Sequence, residues 1–139
     1  MKKTKNKYKH NSLYSLSVKR SSAGLGVFTE EPIKKGKFIL DYSGELISEE
    51  EANERGGRYL FNINSRWTID GKKHHNLSRY LNHSCRPNCE PRSQGKRIKI
   101  YSTKNIAAGE ELTYDYGKEY FNNYIKPHGC RCKKCQEKK

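Results

Sequence analysis

Apolar residues are in short supply. Only 32% of the 139 residues are hydrophobic and the mean hydropathy is −1.11, so a lean single core and a strongly solvated surface are expected. No run of about 18 apolar residues occurs, which excludes a membrane-spanning helix. The first lysines are followed by no apolar stretch, so a secretory signal is not expected. Acids are scarce too: 15 Asp and Glu stand against 29 Lys and Arg, a formal charge of +14. That excess predicts attraction to polyanions, nucleic acid among them, or to acidic protein surfaces. Cysteine is not lacking. Five are present, and without a signal they point to metal or thiol chemistry in a reducing compartment, not to a disulfide frame.

Residues 1–12 carry Lys2, Lys3, Lys5, Lys7 and Lys9 with almost nothing to bury, and read as a mobile basic arm. Leu13, Leu16 and Val18 start a strand; Ser21 to Phe28 is a turn closing into another. Two stretches are built alike. Ile33-Lys34-Lys35-Gly36 turns into Phe38–Tyr42, and Ile106-Ala107-Ala108-Gly109 turns into Leu112–Tyr116, each a turn with Gly at its fourth position and then a strand ending in tyrosine. Leu112, Tyr114 and Tyr116 share one face of the second strand, with the tyrosines about 7 Å apart along it. Core aromatics with hydroxyls at the rim would account for such a pair.

Between these stretches, Ser48 caps a short helix with Glu51 at the capping-box position, and Gly56-Gly57 ends it. Tyr59–Ile63 and Trp67–Gly71 are further strand and turn segments, and Ile98 and Ile100 alternate with cations as in a half-exposed strand. His74 and His75 read as a solvated loop. Tyr80 and Leu81 read as a short buried strand. After them comes Asn82-His83-Ser84-Cys85-Arg86-Pro87-Asn88-Cys89, which Pro87 forces into a fixed loop. Beyond Gly117, aromatics Tyr120, Phe121 and Tyr124 precede Cys130-Arg131-Cys132-Lys133-Lys134-Cys135. Three thiolates so spaced can face one tetrahedral zinc and leave a position for Cys85, Cys89 or His128.

Asn-His-Ser-Cys-x-Pro-Asn at 82–88 and Glu-Leu-Thr-Tyr-Asp-Tyr-Gly at 111–117 resemble the paired signature motifs of the SET-domain lysine methyltransferases. Tyr42-Ser43-Gly44-Glu45 resembles that family's Tyr-x-Gly-Glu segment, and the cysteine-rich end its post-SET tail. The resemblance runs from about Tyr14 to Cys135. It implies a mainly β fold with short helices, a SET domain over 13–117 closed by a C-terminal pseudoknot, and a post-SET zinc tail over 118–139. It further implies methyl transfer from S-adenosylmethionine to a lysine side chain of a histone tail or other basic protein. Nucleus or cytoplasm would then follow from the substrate.

By the same resemblance Tyr116 is the catalytic tyrosine, Tyr42 lines the lysine channel, and Tyr114 sets how many methyl groups are added, chiefly one. Gly24, Leu25, Gly26, Tyr59, Arg79, Asn82 and His83 bind the cofactor. Cys85 joins Cys130, Cys132 and Cys135 around one zinc ion, and Phe121 or Tyr124 folds over the channel. The insertion between the helix and Tyr59 is very short where many family members use a longer one to hold substrate. Such transfer requires a deprotonated amine held in line with the methyl group, which desolvation and positioning supply. The competing reading is an idle SET-like module that uses its charge to bind nucleic acid or acidic protein. A zinc ribbon is excluded because a second Cys-x2-Cys is missing.

Overall fold

The structure is a computed structural model that describes residues 12, 14–22, 24–57, 59–72, 77–117 and 129–130. Most of the basic arm and of the cysteine-rich end, with His74, His75, Cys132 and Cys135, lies outside the described residues.

Among the described residues, ten short strands form three small sheets. Strands β1 (Leu16–Ser21) and β2 (Gly24–Thr29) make a hairpin joined through β10 (Glu111–Tyr114) to β7 (Asn82–His83). β3 (Phe38–Asp41) pairs with β9 (Arg97–Ser102), which pairs with β8 (Cys89–Gln94). β4 (Glu45–Ser48), β6 (Trp67–Asp70) and β5 (Leu60–Asn62) make the third sheet. Each sheet has one apolar face, and together these faces bury Val27, Ile39, Leu40, Ile69, Ile98, Ile100 and Leu112 in one core. β9 shows the pattern plainly: Ile98 and Ile100 are buried while Arg97, Lys99 and Tyr101 face away. The two look-alike turns lie back to back, with Ile33 and Ile106 exchanging both backbone hydrogen bonds at 2.9 and 2.7 Å.

Helix α1 (Glu49–Arg55) forms where its cap predicts. Ser48 Oγ accepts the Glu51 N–H at 3.1 Å, and the Gly56 N–H closes the other end on the Ala52 carbonyl. Acidic residues fill its first turn, at the positive end of the peptide dipoles. Arg55 is clamped by Glu45, Glu51 and Asp70 at 2.9–3.0 Å, tying the helix to β4 and β6.

The motif loops depart from expectation in two places. Leu77–Tyr80 is a 3₁₀ helix, not the approach of a strand, because Ser78 Oγ donates to the Asp41 carbonyl at 2.5 Å and the Leu81 N–H turns back to Ser78 O at 3.0 Å. The strand begins instead at Asn82, whose pair with His83 runs parallel to Thr113 and Tyr114. β10 stops at Tyr114, short of the second tyrosine. The Tyr116 N–H goes to His83 Nδ1 at 3.1 Å and the Gly117 N–H to Asp115 Oδ1 at 2.8 Å, so neither is available to a neighbouring strand.

β10 is the element that everything converges on. Its first two residues pair with β2 and its last two with β7. At the changeover, Asn88 does the work of a strand: its Nδ2 donates to the Glu111 carbonyl at 2.8 Å and its Oδ1 accepts the Thr113 N–H at 3.0 Å. Each buried backbone group left without a partner costs about 1–3 kcal/mol. Both hydrogen bonds are part-buried, so Asn88→Ala should lower the unfolding free energy by about 1–3 kcal/mol, and Asn88→Asp, which keeps the acceptor, by roughly half as much. Urea denaturation measures both; an alanine variant within about 0.5 kcal/mol of the parent would remove Asn88 from this role.

Candidate functional site

A cleft of about 930 Å³ opens where β2, α1, β5, the 3₁₀ helix and β10 meet. Gly24, Leu25, Tyr42, Tyr59, Arg79, Asn82, Tyr114 and Tyr116 line it, so eight of the residues singled out by sequence share one hollow. Gly26 and His83 do not line it. His83 borders a second hollow of about 590 Å³ beside Ser84 and Arg86, and Gly26 acts from behind.

Gly26 is needed for space. A Cβ there would lie 2.2 Å from Glu111 Oε2 and 3.0 Å from Asn82 Nδ2. Without it, Asn82 Nδ2 donates to Glu111 Oε2 at 2.8 Å, to the Leu25 carbonyl at 2.9 Å and to Ser21 Oγ at 3.1 Å. Three acceptors around one NH₂ fix which way the amide points. Its Oδ1 has no hydrogen-bond partner among the described residues and is left as an acceptor. Gly24 turns the chain with φ 95°, a conformation side chains disfavour. Leu25 keeps 50% of its surface exposed, an apolar contact offered at the cleft. Arg79 lies over the Tyr59 ring at 4.5 Å and the Tyr80 ring at 5.2 Å, so its planar cation is held flat.

The opposite wall is aromatic. Tyr42 and Phe61 rings are 5.0 Å apart, Phe61 stacks on Tyr114 at 6.1 Å, and Tyr114 meets Tyr116 at 4.9 Å. Phe61 lines the cleft but is not singled out by sequence reading, which sees a phenylalanine in the Tyr59–Ile63 strand segment. Tyr42 donates its hydroxyl to the Tyr59 carbonyl at 2.9 Å, and Tyr116 donates its hydroxyl to the Leu81 carbonyl. A phenol that spends its proton this way keeps its oxygen as an acceptor.

His83 sits beneath Tyr116, its ring 5.4 Å from the phenol ring. Burial pushes its pKa down, and Asp115 pulls weakly the other way. The Asp115 carboxylate oxygen, 3.8 Å from Nδ1 and largely exposed, suggests an ion pair. The Tyr116 N–H at 3.1 Å argues against it, because a nitrogen that accepts that hydrogen bond carries no proton. The neutral ring then has its proton on Nε2, which faces Cys85 Sγ at 3.5 Å. Cys85 Sγ in turn lies 3.9 Å from Cys130 Sγ, and the donor atoms of the three residues fall within 4.8 Å of one another. Because Nε2 bears the proton, His83 donates to the thiol sulfur and is not itself a metal ligand in this arrangement.

Cys89 is set apart from this group. It is buried, its Sγ donates to Asn88 Oδ1 at 3.3 Å, and burial pushes its pKa up to about 12. At pH 8 only about one molecule in 10⁴ would carry the thiolate. Iodoacetamide at that pH should leave Cys89 unmodified in the folded chain and label it fully after denaturation, as read by peptide mass spectrometry. Labelling in the folded state within about tenfold of the rate of a free thiol would contradict this placement.

Residues 24–117 match the SET domain family. Among characterised proteins, the chain is 39% identical over 123 residues to histone-lysine N-methyltransferase SUV39H2 of Xenopus tropicalis, covering 74% of this chain and 30% of that protein. It is 37% identical over 117 residues to histone-lysine N-methyltransferase ASHH1 of Arabidopsis thaliana, covering 75% and 24%. Histone-lysine N-methyltransferase MEDEA of the same plant is 39% identical over 104 residues, covering 67% and 15%. The chain thus spans less than a third of the length of each of these relatives.

Proposed function

This chain belongs to the SET-domain family, and we propose that it transfers methyl groups from S-adenosylmethionine to a lysine side chain of a histone tail or another basic protein. The observation that carries this reading is the shared cleft, which has the Gly24–Gly26 turn and Asn82 on one side and an aromatic wall ending at Tyr116 on the other. The names of the relatives favour a histone tail, and such a substrate would put the chain on chromatin.

The residues present fit the cofactor. The close approach at Gly26 leaves Asn82 oriented with a free acceptor oxygen, Leu25 offers apolar surface, and Arg79 and Tyr59 form a flat stacked pair at the same cleft. His83 supports the site through the Tyr116 backbone and not by facing the cleft. When bound, the cofactor supplies an electrophilic methyl group on a sulfonium. The chain's own residues do the rest. Tyr42, Phe61 and Tyr114 wall the approach of a lysine, and the loss of water between them disfavours the ammonium and lowers its pKa toward the reactive amine. Tyr116, anchored through Leu81 and His83, presents its oxygen as an acceptor toward the reacting groups. Positioning of this kind supplies much of the rate, and C–H···O contacts to a methyl group add a smaller amount.

The thiols fit zinc as well. Two thiolates about 2.3 Å from a tetrahedral zinc lie about 3.8 Å apart, close to the 3.9 Å between Cys85 and Cys130. Cys132 and Cys135 would complete the set. The His83 Nε2–H donating to Cys85 would be the outer hydrogen bond that orients such a ligand.

Tyr116→Phe removes one hydroxyl and should abolish methyl transfer to histone substrates while leaving cofactor affinity and folding largely intact. Transfer of labelled methyl groups and calorimetric titration of the cofactor measure the two effects. Turnover within about threefold of the parent, roughly 0.65 kcal/mol in barrier, would reject the assignment.

Tyr114 also lines this cleft and bears a second hydroxyl. A methylated amine would have to displace that hydroxyl or its bound water, at about 1–3 kcal/mol, or roughly ten- to hundredfold in rate. The product should therefore be chiefly monomethyl-lysine, and Tyr114→Phe should shift it toward di- and trimethyl-lysine without loss of activity. Mass spectrometry of a modified peptide reads both. Efficient trimethylation by the parent chain, or an unchanged product ladder in the variant, would defeat this reading.

A further inference from the structure

Charge is not spread evenly over the chain. Residues 45–55 hold five glutamates and one arginine, so the α1 side of the cleft is acidic. Residues 33–41 and 89–106, which build the β3–β9–β8 sheet and its turns, hold eight cations and two acids. The two acids are already committed: Asp41 pairs with Arg97 at 2.8 Å and Glu90 with Arg92 at 2.6 Å. The lysines are not. Lys34, Lys35, Lys37, Lys96 and Lys104 are exposed, and none has an ion pair among the described residues.

Lys34, Lys35, Lys37 and Lys104 form one surface, while Lys96 sits at the other end of β9, over the Trp67 ring at 4.5 Å. The Lys35 N–H donates to Asn105 Oδ1 at 2.9 Å and Ile33 bridges Ile106, so the lysine-rich turn at 34–37 lies against Lys104. Lys37 continues directly into β3, whose Phe38 faces Tyr101 of β9 across the outer side of the sheet. On that outer side Arg92 lies 4.2 Å over the Tyr101 ring and Lys99 5.4 Å over the Phe38 ring. Aromatic rings beneath them hold both cations close to the sheet, so less side-chain freedom is lost when an anion arrives. None of these residues lines the cleft.

We propose that the outer face of the β3–β9–β8 sheet, with the turns at Lys34–Lys37 and Lys104, is a nucleic-acid-binding surface that grips the phosphate backbone without regard to sequence. Lysines without ion pairs among the described residues supply the charge for phosphates. Arg92, Gln94, Arg97 and Asn105, the side chains there that could read base edges, each already hold a hydrogen bond within the chain. The rings are already covered by the chain's own cations, which leaves phosphate contact as the mode of binding. This site is separate from the cleft and does not depend on the methyl-transfer reading.

The test compares the full chain with two variants of equal charge change. One carries Lys34→Ala, Lys35→Ala, Lys37→Ala and Lys104→Ala; the other carries Lys19→Ala, Arg20→Ala, Arg66→Ala and Lys72→Ala, all outside this face. Fluorescence anisotropy with a labelled random-sequence duplex of about 20 base pairs, and with its single strand, is recorded across salt concentrations. The first variant should bind at least about tenfold more weakly near 100 mM salt, with a salt dependence shallower by about 2–3 in the log–log slope; the second should stay within about threefold. Methylation of a free peptide should be the same for the first variant and the parent. Equal losses in both variants would reduce the effect to bulk charge and overturn the proposal, as would undiminished binding by the first. Displacement of the duplex by polyglutamate at equal charge concentration would also overturn it, assigning the face to acidic protein.

Discussion

A four-residue strand cannot satisfy its own backbone, and β10 is the strand on which the site depends. Its donors and acceptors are divided among β2, β7 and the side chain of Asn88. That division is what brings a histidine, two asparagines and two tyrosines from distant parts of the sequence to one place. The hydrogen bonds are backbone ones for the most part, so the register is set by geometry and not by which side chains pack well. Moving β10 by one residue would exchange Leu112 and Tyr114 for Thr113 and Asp115 on the buried face, a cost no nearby contact offsets.

Much of this could be read from the chain itself. The two motifs, the tyrosine pair, the Ser48 cap, the alternation of β9 and the paired turns with their fourth-position glycines all carry local signals. What escaped were particular relations fixed by distant partners. Glu111 looks like a surface acid until its carboxylate is found on Asn82, in the volume that Gly26 leaves open. Phe61 gains its role only from Tyr42 and Tyr114 on either side. The 3₁₀ helix at Leu77 follows from an anchor on Asp41, which no window around Ser78 contains. His83, placed with the cofactor residues by resemblance, turns inward because the Tyr116 backbone needs an acceptor there.

The side chains of Asn82, Asn88 and His83 each use polar atoms to fix protein structure before any ligand arrives. Asn82 commits its donors and keeps an oxygen, Asn88 commits both ends of its amide to β10, and His83 commits one nitrogen to each of two neighbours. Sites built this way arrive in their binding geometry and lose little entropy on use. They also tolerate substitution poorly, since an isosteric change such as Asn to Asp inverts a donor without changing shape.

The pairing of β10 with β2 has a consequence for how the protein is made. Roughly 80 residues separate the two strands, which at about 5–20 residues per second is several seconds of synthesis. Throughout that interval β2 lacks its β10 partner, its edge N–H and C=O groups are unpaired, and the cleft has no β10 wall. Loop closure over such a span is slow compared with hairpin formation, so the binding cleft is completed only after Glu111–Tyr116 has been made. A nascent or truncated chain ending before Glu111 would carry most of the core but lack Tyr114, Tyr116 and the pairing that closes the cleft, and its exposed strand edge would be a target for chaperones.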